Sequence, residues 1–293
     1  MSLKQYEAFV KVVELGSLTR AAEALGYTQS GVSHMLQNLE TELGFVVLTR
    51  SRAGIRLTQE GERVLPCIRA ILAAEEQMQQ VVSSIRGMEM GRVRIGAFTS
   101  VAVHWVPALI KGFQELYPGI EFELRNGDYY DVENWLNAGE VDMGFVTMPA
   151  DVDGDCIPLM QDRLLAILPA DHALAQEMIF PVAQFAREDF ISLEHQSDHD
   201  ARRVLEASHL SPKVKFFTKD DYQMIAMVEH GLGVSIVPEL LLEGRDYKVA
   251  RLELQPPSQR LIGLAIPHPE TLNPAARNFR DFILQWIEEK YIR

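Results

Sequence analysis

The sequence predicts an α/β protein in two parts: an N-terminal winged helix-turn-helix with a long dimerisation helix, then a two-lobed α/β domain. Three observations predict it. Two short apolar helical stripes meet at Gly26. A near-heptad stripe runs from Leu65 to Ile85. Beyond Gly91 the pattern changes to short apolar runs that alternate with helical stretches.

The first stripe is Leu18, Ala21, Ala22 and Leu25, and the second is Val32, Met35, Leu36, Leu39 and Leu43. Thr19 and Thr28 are the expected N-caps, and Gly26 allows the sharp turn between the helices. Small residues at 21 and 22 let the helices approach closely. The outward face of the second helix is Gln29, Ser30, Ser33, His34 and Gln37. These are polar and several are short, suited to base edges and phosphates in a major groove. A solvated helix face in an all-helical protein is the plainer alternative. The flanks favour the DNA reading. Leu3, Tyr6, Phe9, Val10 and Val13 form a supporting amphipathic helix. Val46-Val47-Leu48 and Ile55-Arg56-Leu57 flank a glycine-containing turn, a two-stranded wing. Its Arg50, Arg52 and Arg56 suit phosphate or minor-groove contact with double-stranded DNA.

The run A-A-E-A-L-x4-S-x2-S-x5-L-E-x2-L-G, from Ala21 to Gly44, is followed by L-T-R ending at Arg50 and R-L-T-Q-E-G ending at Gly61. This resembles the DNA-binding domain of the LysR-type transcriptional regulators, with register kept throughout. The family often has Pro where Ser30 stands and a basic residue where His34 stands. The resemblance implies that the long helix pairs two chains, as a homodimer or homotetramer. It further implies a small-molecule effector and, for an activator, RNA polymerase as a partner.

Length suits about two domains, and the chain is ordinary globular material at 47% hydrophobic and 24% charged. Residues 1–87 hold nine Lys/Arg and nine Asp/Glu, so the net charge of −13 lies wholly beyond them, on 19 basic and 32 acidic residues. A neutral DNA-binding segment has a weak basic footprint; a dimer doubles its wing arginines. There is no apolar run of membrane-spanning length and no export signal, so a cytoplasmic location is expected. Cys67 and Cys156 stand far apart, outside any zinc spacing, and are expected as buried free thiols rather than a redox pair. No cofactor or metal is expected.

The expected organisation is a DNA-binding domain over 1–58, a linker helix over 59–87, a hinge over 88–91 and a ligand domain over 92–293. Pro66 sits early in the linker helix and could bend it. In the ligand domain, Val93–Gly96, Ile120–Leu124 and Met143–Val146 read as strands between helices at Val101–Leu116 and Val132–Ala138, predicting a parallel sheet. Strands at Leu164–Leu168, Phe190–Leu193, Val214–Phe217 and Val234–Val237 follow, with helices near Ala201–Ala207 and Tyr222–His230. Leu261–Ile266 is a further strand and Pro274–Tyr291 a last helix. The runs Gly139–Phe145 and Gly231–Pro238 resemble the effector domain of the same family, which has the fold of periplasmic solute-binding proteins. Lobe one is expected over 92–161 and 267–293, and lobe two over 162–266.

Ligands of open α/β sheets bind beyond the carboxyl ends of strands. Thr99 and Ser100 follow the first strand, Asn126 and Asp128 the second, and Thr147 and Met148 the third. Across the cleft come Ser192, Glu194 and His195, then Asp220 beside Lys219. Each hydroxyl could equally cap a helix. The resemblance implies that Thr99, Ser100, Thr147 and the positions after Ile191 line an effector cleft. The acidic members disfavour a highly charged anion unless Lys219 compensates. His195 and His199 have the spacing of metal ligands but read better as a polar loop before a helix.

An effector-responsive transcription regulator is therefore the favoured function. The alternative is a cytoplasmic small-molecule-binding protein without specific operator function. A transport protein would need an export signal and would leave residues 1–87 without a role. An enzyme would need a nucleophile elbow, phosphate loop or metal cluster.

Overall fold

A computed structural model of the chain describes residues 1–51, 54–85, 90–194 and 199–292. Arg52, His195 and positions 88 and 89 of the expected hinge lie outside the described residues, as does the side chain of Arg50. The chain divides into two compact units: Met1–Met88 with Ala138–Glu140, and Glu89–Asn137 with Val141–Arg293.

The first unit comprises α1 (Leu3–Leu15), α2 (Leu18–Leu25), α3 (Gln29–Leu43), β1 (Leu48–Ser51), β2 (Gly54–Leu57) and α4 (Gln59–Ile85). Ser17, not Thr19, caps α2: its extended backbone lets its side chain accept from the Arg20 N–H, while Leu18 is already helical. Thr28 caps α3 as expected, its hydroxyl accepting from the Gly31 N–H at 3.1 Å. Gly26 closes α2 in the left-handed conformation at φ 70°. Phe9, Val12, Ala21, Val32 and Leu39 are fully buried in one core. Leu3 is exposed and Val13 half-buried, because Ala8 and Val12 take the centre of the buried face of α1.

The first wing strand starts later than its apolar run. Val47 turns into the core, and β1 pairs with β2 from Leu48↔Leu57 to Ser51↔Gly54. Glu40 sets this exit: its Oε1 accepts from the N–H groups of Val47 at 2.9 Å and Leu48 at 3.3 Å. Gly61, in the first turn of α4, stands so close to Val47 that a β-carbon there would meet its carbonyl oxygen at 2.2 Å. The long stripe of α4 serves two surfaces. Leu65 and Ile68 complete the domain's own core, whereas Ile71, Met78 and Val82 are 43%, 61% and 40% exposed. Pro66 lies inside α4, which runs on through 27 residues.

The second unit comprises β3 (Gly91–Phe98), α5 (Thr99–His104), α6 (Val106–Leu116), β4 (Ile120–Gly127), α7 (Tyr129–Asn137), β5 (Met143–Met148), β6 (Asp155–Pro169), β7 (Ile179–Pro181), β8 (Asp189–Leu193), α8 (His199–Ala207), β9 (Lys213–Thr218), α9 (Asp221–Glu229), β10 (Ser235–Pro238), β11 (Val249–Ile266) and α10 (Pro274–Ile287). The expected Val101–Leu116 helix is broken at Trp105. Pro107 explains this: it lacks an N–H and its ring would clash with the carbonyl four residues back, but it suits a helix start.

The expected parallel sheet is instead mixed. β3 pairs in parallel with β4 and β5, as helical crossovers require. β11 then runs antiparallel to both β5 and β6, and β10 antiparallel to β6. The strands β6 and β11, 15 and 18 residues long, pass from one lobe to the other. Only their apolar parts were legible, because Asp155–Arg163 mixes in Pro158, Gln161 and charges, and β11 absorbs Pro256 and Pro257 in an irregularity between Glu253 and Ser258. Trp105, Phe113, Phe145 and Phe279 centre the first lobe's core, and Phe180, Phe185 and Phe190 the second's. Ile262, Leu264 and Ile266 pack in the first core rather than in lobe two, where they are expected from the sequence. The reason is the pairing of residues 261–265 with β5, which carries Ile266 along at the end of the same strand.

Candidate nucleic-acid interface and ligand cleft

On α3, the burial of Val32, Leu36 and Leu39 orients the opposite face outward. Gln29, Ser30, His34 and Gln37 are exposed there, and Ser33 is half-buried. The Ser30 hydroxyl lies 3.1 Å from that of Thr28, and His34 Nδ1 lies 3.3 Å from Asn38 Nδ2. Arg56 is exposed on β2. The structure therefore brings the described residues of this predicted set onto the helix and the wing. Ser30 and Gly31 in its first turn are small, which leaves the N-terminal end of the helix open to close approach.

In the second unit a cleft of about 1060 Å³ opens beyond the carboxyl ends of β3, β4, β8 and β9. Of the expected residues, Thr99, Ser100, Asn126, Asp128, Glu194 and Asp220 line it. Thr147, Met148 and Ser192 do not. Thr147 and Met148 stand in β5 opposite Ile262 and Leu261 of β11, the antiparallel neighbour that the expected all-parallel sheet lacks. The Ser192 hydroxyl donates to the Leu193 carbonyl at 2.9 Å.

Sequence reasoning missed the centre of the cleft. Arg260, 2% exposed, pairs across the strands with Asp162. Its Nε and Nη2 donate to one carboxylate oxygen of Asp162 at 2.9 and 2.6 Å. Nη2 also donates to the Ser100 hydroxyl at 2.7 Å, and Nη1 to the Tyr129 hydroxyl. Tyr129 in turn donates to Asp200 Oδ2 at 2.6 Å, which stands 3.6 Å from Nη1. The Phe98 ring lies 4.9 Å from the guanidinium carbon. One guanidinium thus ties β11, β6, α5, α7 and α8 together. Burial lifts the Asp162 carboxyl, with Arg260 and the Leu240 N–H pulling the other way. Burial likewise pushes the Tyr129 phenol up. Burial opposes the charge on Arg260, but Tyr129, Asp162 and Asp200 outweigh it and raise its pKa. Asp221, also in the lining, is raised by burial, with Thr99 and Arg260 pulling the other way. A charged residue directly before an apolar strand run, at Arg260, and another at Asp162, were the available signals: buried charges need partners.

Among the described residues no group of His, Cys, Asp and Glu could hold a metal ion, and no helix is long and apolar enough to cross a membrane. His195 to Asp198 of the histidine-containing loop lie outside the described residues. Cys156 is half-buried, but Cys67 is exposed on α4 rather than buried as expected, because the apolar face there is taken by Leu65 and Ile68.

Comparison with known proteins agrees with both units. Residues 3–62 match the family "Bacterial regulatory helix-turn-helix protein, lysR family", and residues 86–288 match "LysR substrate binding domain". The chain is 32% identical over 291 residues to the "Probable HTH-type transcriptional regulator LrrA" of Synechococcus elongatus, covering 99% of this chain and 98% of that one. Among solved structures, a full-length OxyR variant from Pseudomonas aeruginosa superposes with TM-score 0.78 at 21% identity, over 98% of this chain and 95% of that one. Full-length CbnR complexed with its target DNA gives TM-score 0.66 at 21% identity, over 98% of this chain and 100% of that one. The polar-faced helix, its wing and the two-lobed cleft domain are those of a regulator of transcription, and the chain belongs to the LysR family.

Proposed function

We propose that this regulator reads an operator with α3 and answers to a small molecule held in the cleft of its second unit. The observation that carries the first half is the amphipathic split of α3, with Val32 and Leu39 fully buried and Gln29, Ser30, His34 and Gln37 exposed. Gln29 and Ser33 are assigned to base edges, Ser30, His34 and Gln37 to bases or phosphates, and Arg50, Arg52 and Arg56 to the phosphate backbone. The second half rests on the cleft beyond the strand ends, with Thr99, Ser100, Asn126 and Asp128 from one lobe and Glu194 and Asp220 from the other. A ligand held from both lobes stabilises one lobe arrangement over another. It shifts the regulator only by its differential affinity for the two. Thr99→Ala is expected to weaken the ligand response at least about fivefold with operator affinity unchanged. Operator titrations with and without ligand check this, and an undiminished response removes Thr99 from the site.

The protein is proposed to act as a homodimer or larger homo-oligomer paired through α4. The exposed Ile71 and Met78 are seven residues apart and Val82 four further on, the spacing of a helix-pairing seam. Met78→Glu with Val82→Glu is expected to shift the sedimenting species towards monomer at micromolar concentration. Unchanged mass would move the interface off α4.

A further inference from the structure

The cleft has a dominant sign of charge, and it is negative. Asp128, Asp131, Glu194, Asp200, Asp220 and Asp221 line it, against Arg260 and Lys219. Both cations are engaged. The Arg260 N–H groups are directed to Asp162, Ser100, Tyr129 and Asp200, and Lys219 points its ammonium at Glu194, 3.3 Å away.

Two of the helix starts at the cleft, where an anion would find a positive end, are also occupied, although α5 begins at Thr99 without a side-chain cap. At the start of α7 the Asp131 N–H donates to Asp128 Oδ1 at 2.8 Å. At the start of α9 the Gln223 N–H donates to Asp220 Oδ1 at 2.8 Å. At these two starts the chain's own carboxylates sit where a ligand carboxylate would go. Asp221 adds a further half-buried carboxyl, raised by burial against the opposing pull of Thr99 and Arg260, and none of the described ion pairs includes it. An anion entering here meets like charge, whereas a cation relieves a carboxylate taken out of water. Phe217 and Tyr222 in the lining supply rings beside which an ammonium is further stabilised.

We propose that the ligand of this cleft is a small organic cation bearing a protonated amine, with Asp221 as its counter-ion. The inference rests on the reading of the cleft as the ligand site, and its test separates the two. Full-length protein is melted at neutral pH with equal millimolar concentrations of putrescine, agmatine and ethanolamine, and separately of acetate, succinate and citrate. The same series is run on Asp221→Asn and on Asn126→Trp, which places a large ring at the exposed cleft wall. The expected result is a Tm rise of about 3 °C with at least one amine and none with the carboxylates. Asp221→Asn is expected to melt as the parent does and to bind that amine at least about thirtyfold more weakly, and Asn126→Trp to lose the shift. No amine shift, or one undiminished in Asp221→Asn, overturns the proposal. A carboxylate shift that Asn126→Trp abolishes rejects the cation preference and keeps the cleft as the ligand site. A shift that Asn126→Trp leaves untouched rejects the cleft itself.

Discussion

Arg260→Met is expected to destabilise the second unit by about 3–5 kcal/mol, the cost of leaving buried charge without its partner. The methionine fills much of the volume but removes every donor. Asp162 keeps only the Leu240 N–H at 3.0 Å, and the Ser100 and Tyr129 oxygens lose the donor that faces them. For a domain of this size the melting temperature should fall on the order of 10 °C. Arg260→Lys keeps the charge but cannot reproduce donation to Asp162, Ser100 and Tyr129 together, so it should fall between the two. Arg260→Met combined with Asp162→Leu should recover part of the loss, because the stranded carboxylate is gone. Thermal melts of the four proteins check the series. Equal melting of parent and Arg260→Met would mean the cluster contributes nothing to the fold.

The second large effect is expected on DNA. Gln29→Ala should lower specific operator affinity about ten- to a hundredfold, the range of one good base contact, and leave non-specific affinity unchanged. Gln29 is exposed at the first position of α3, so truncation removes no core contact. Ser33→Arg acts differently. It adds charge that strengthens non-specific binding and bulk that obstructs close approach to the groove, so the ratio of specific to non-specific affinity should fall further. Retained specificity in both variants would remove α3 from base recognition.

The first unit was legible almost residue by residue, because its helices are short, amphipathic and closed by residues with local mechanisms. Thr28 and Gly26 act on their own turns, and Val32, Leu36 and Leu39 declare the face they bury. The misassigned cap shows the resolution of such reading: Ser17 and Thr19 are both capping residues, and only backbone conformation separates them. The α4 stripe was read as one seam, but periodicity alone does not say which partner covers each turn. Leu65 and Ile68 turn to their own domain while Met78 and Val82 stay exposed.

The second unit was legible as alternating strands and helices, and as a cleft where those strands end. It was not legible where pairing is long-range. β6 and β11 meet about a hundred residues apart in sequence, and their antiparallel register puts Arg260 opposite Asp162. No local pattern encodes that pair. β11 also pairs with Thr147 and Met148 at the end of β5, where a simple parallel sheet would have had no antiparallel neighbour. Thr99, Ser100, Asn126 and Asp128 stand in the cleft lining because they lie at or just past the ends of β3 and β4, which do end there.

The measurement that tests the central claim most directly is selection of genomic DNA fragments by the purified full-length protein at moderate, stated salt. The account predicts recovery of a small set of fragments sharing a repeated half-site, bound far more tightly than random competitor and lost in Gln29→Ala. Fragments without a shared sequence, retained equally by the parent and by Gln29→Ala, would contradict it.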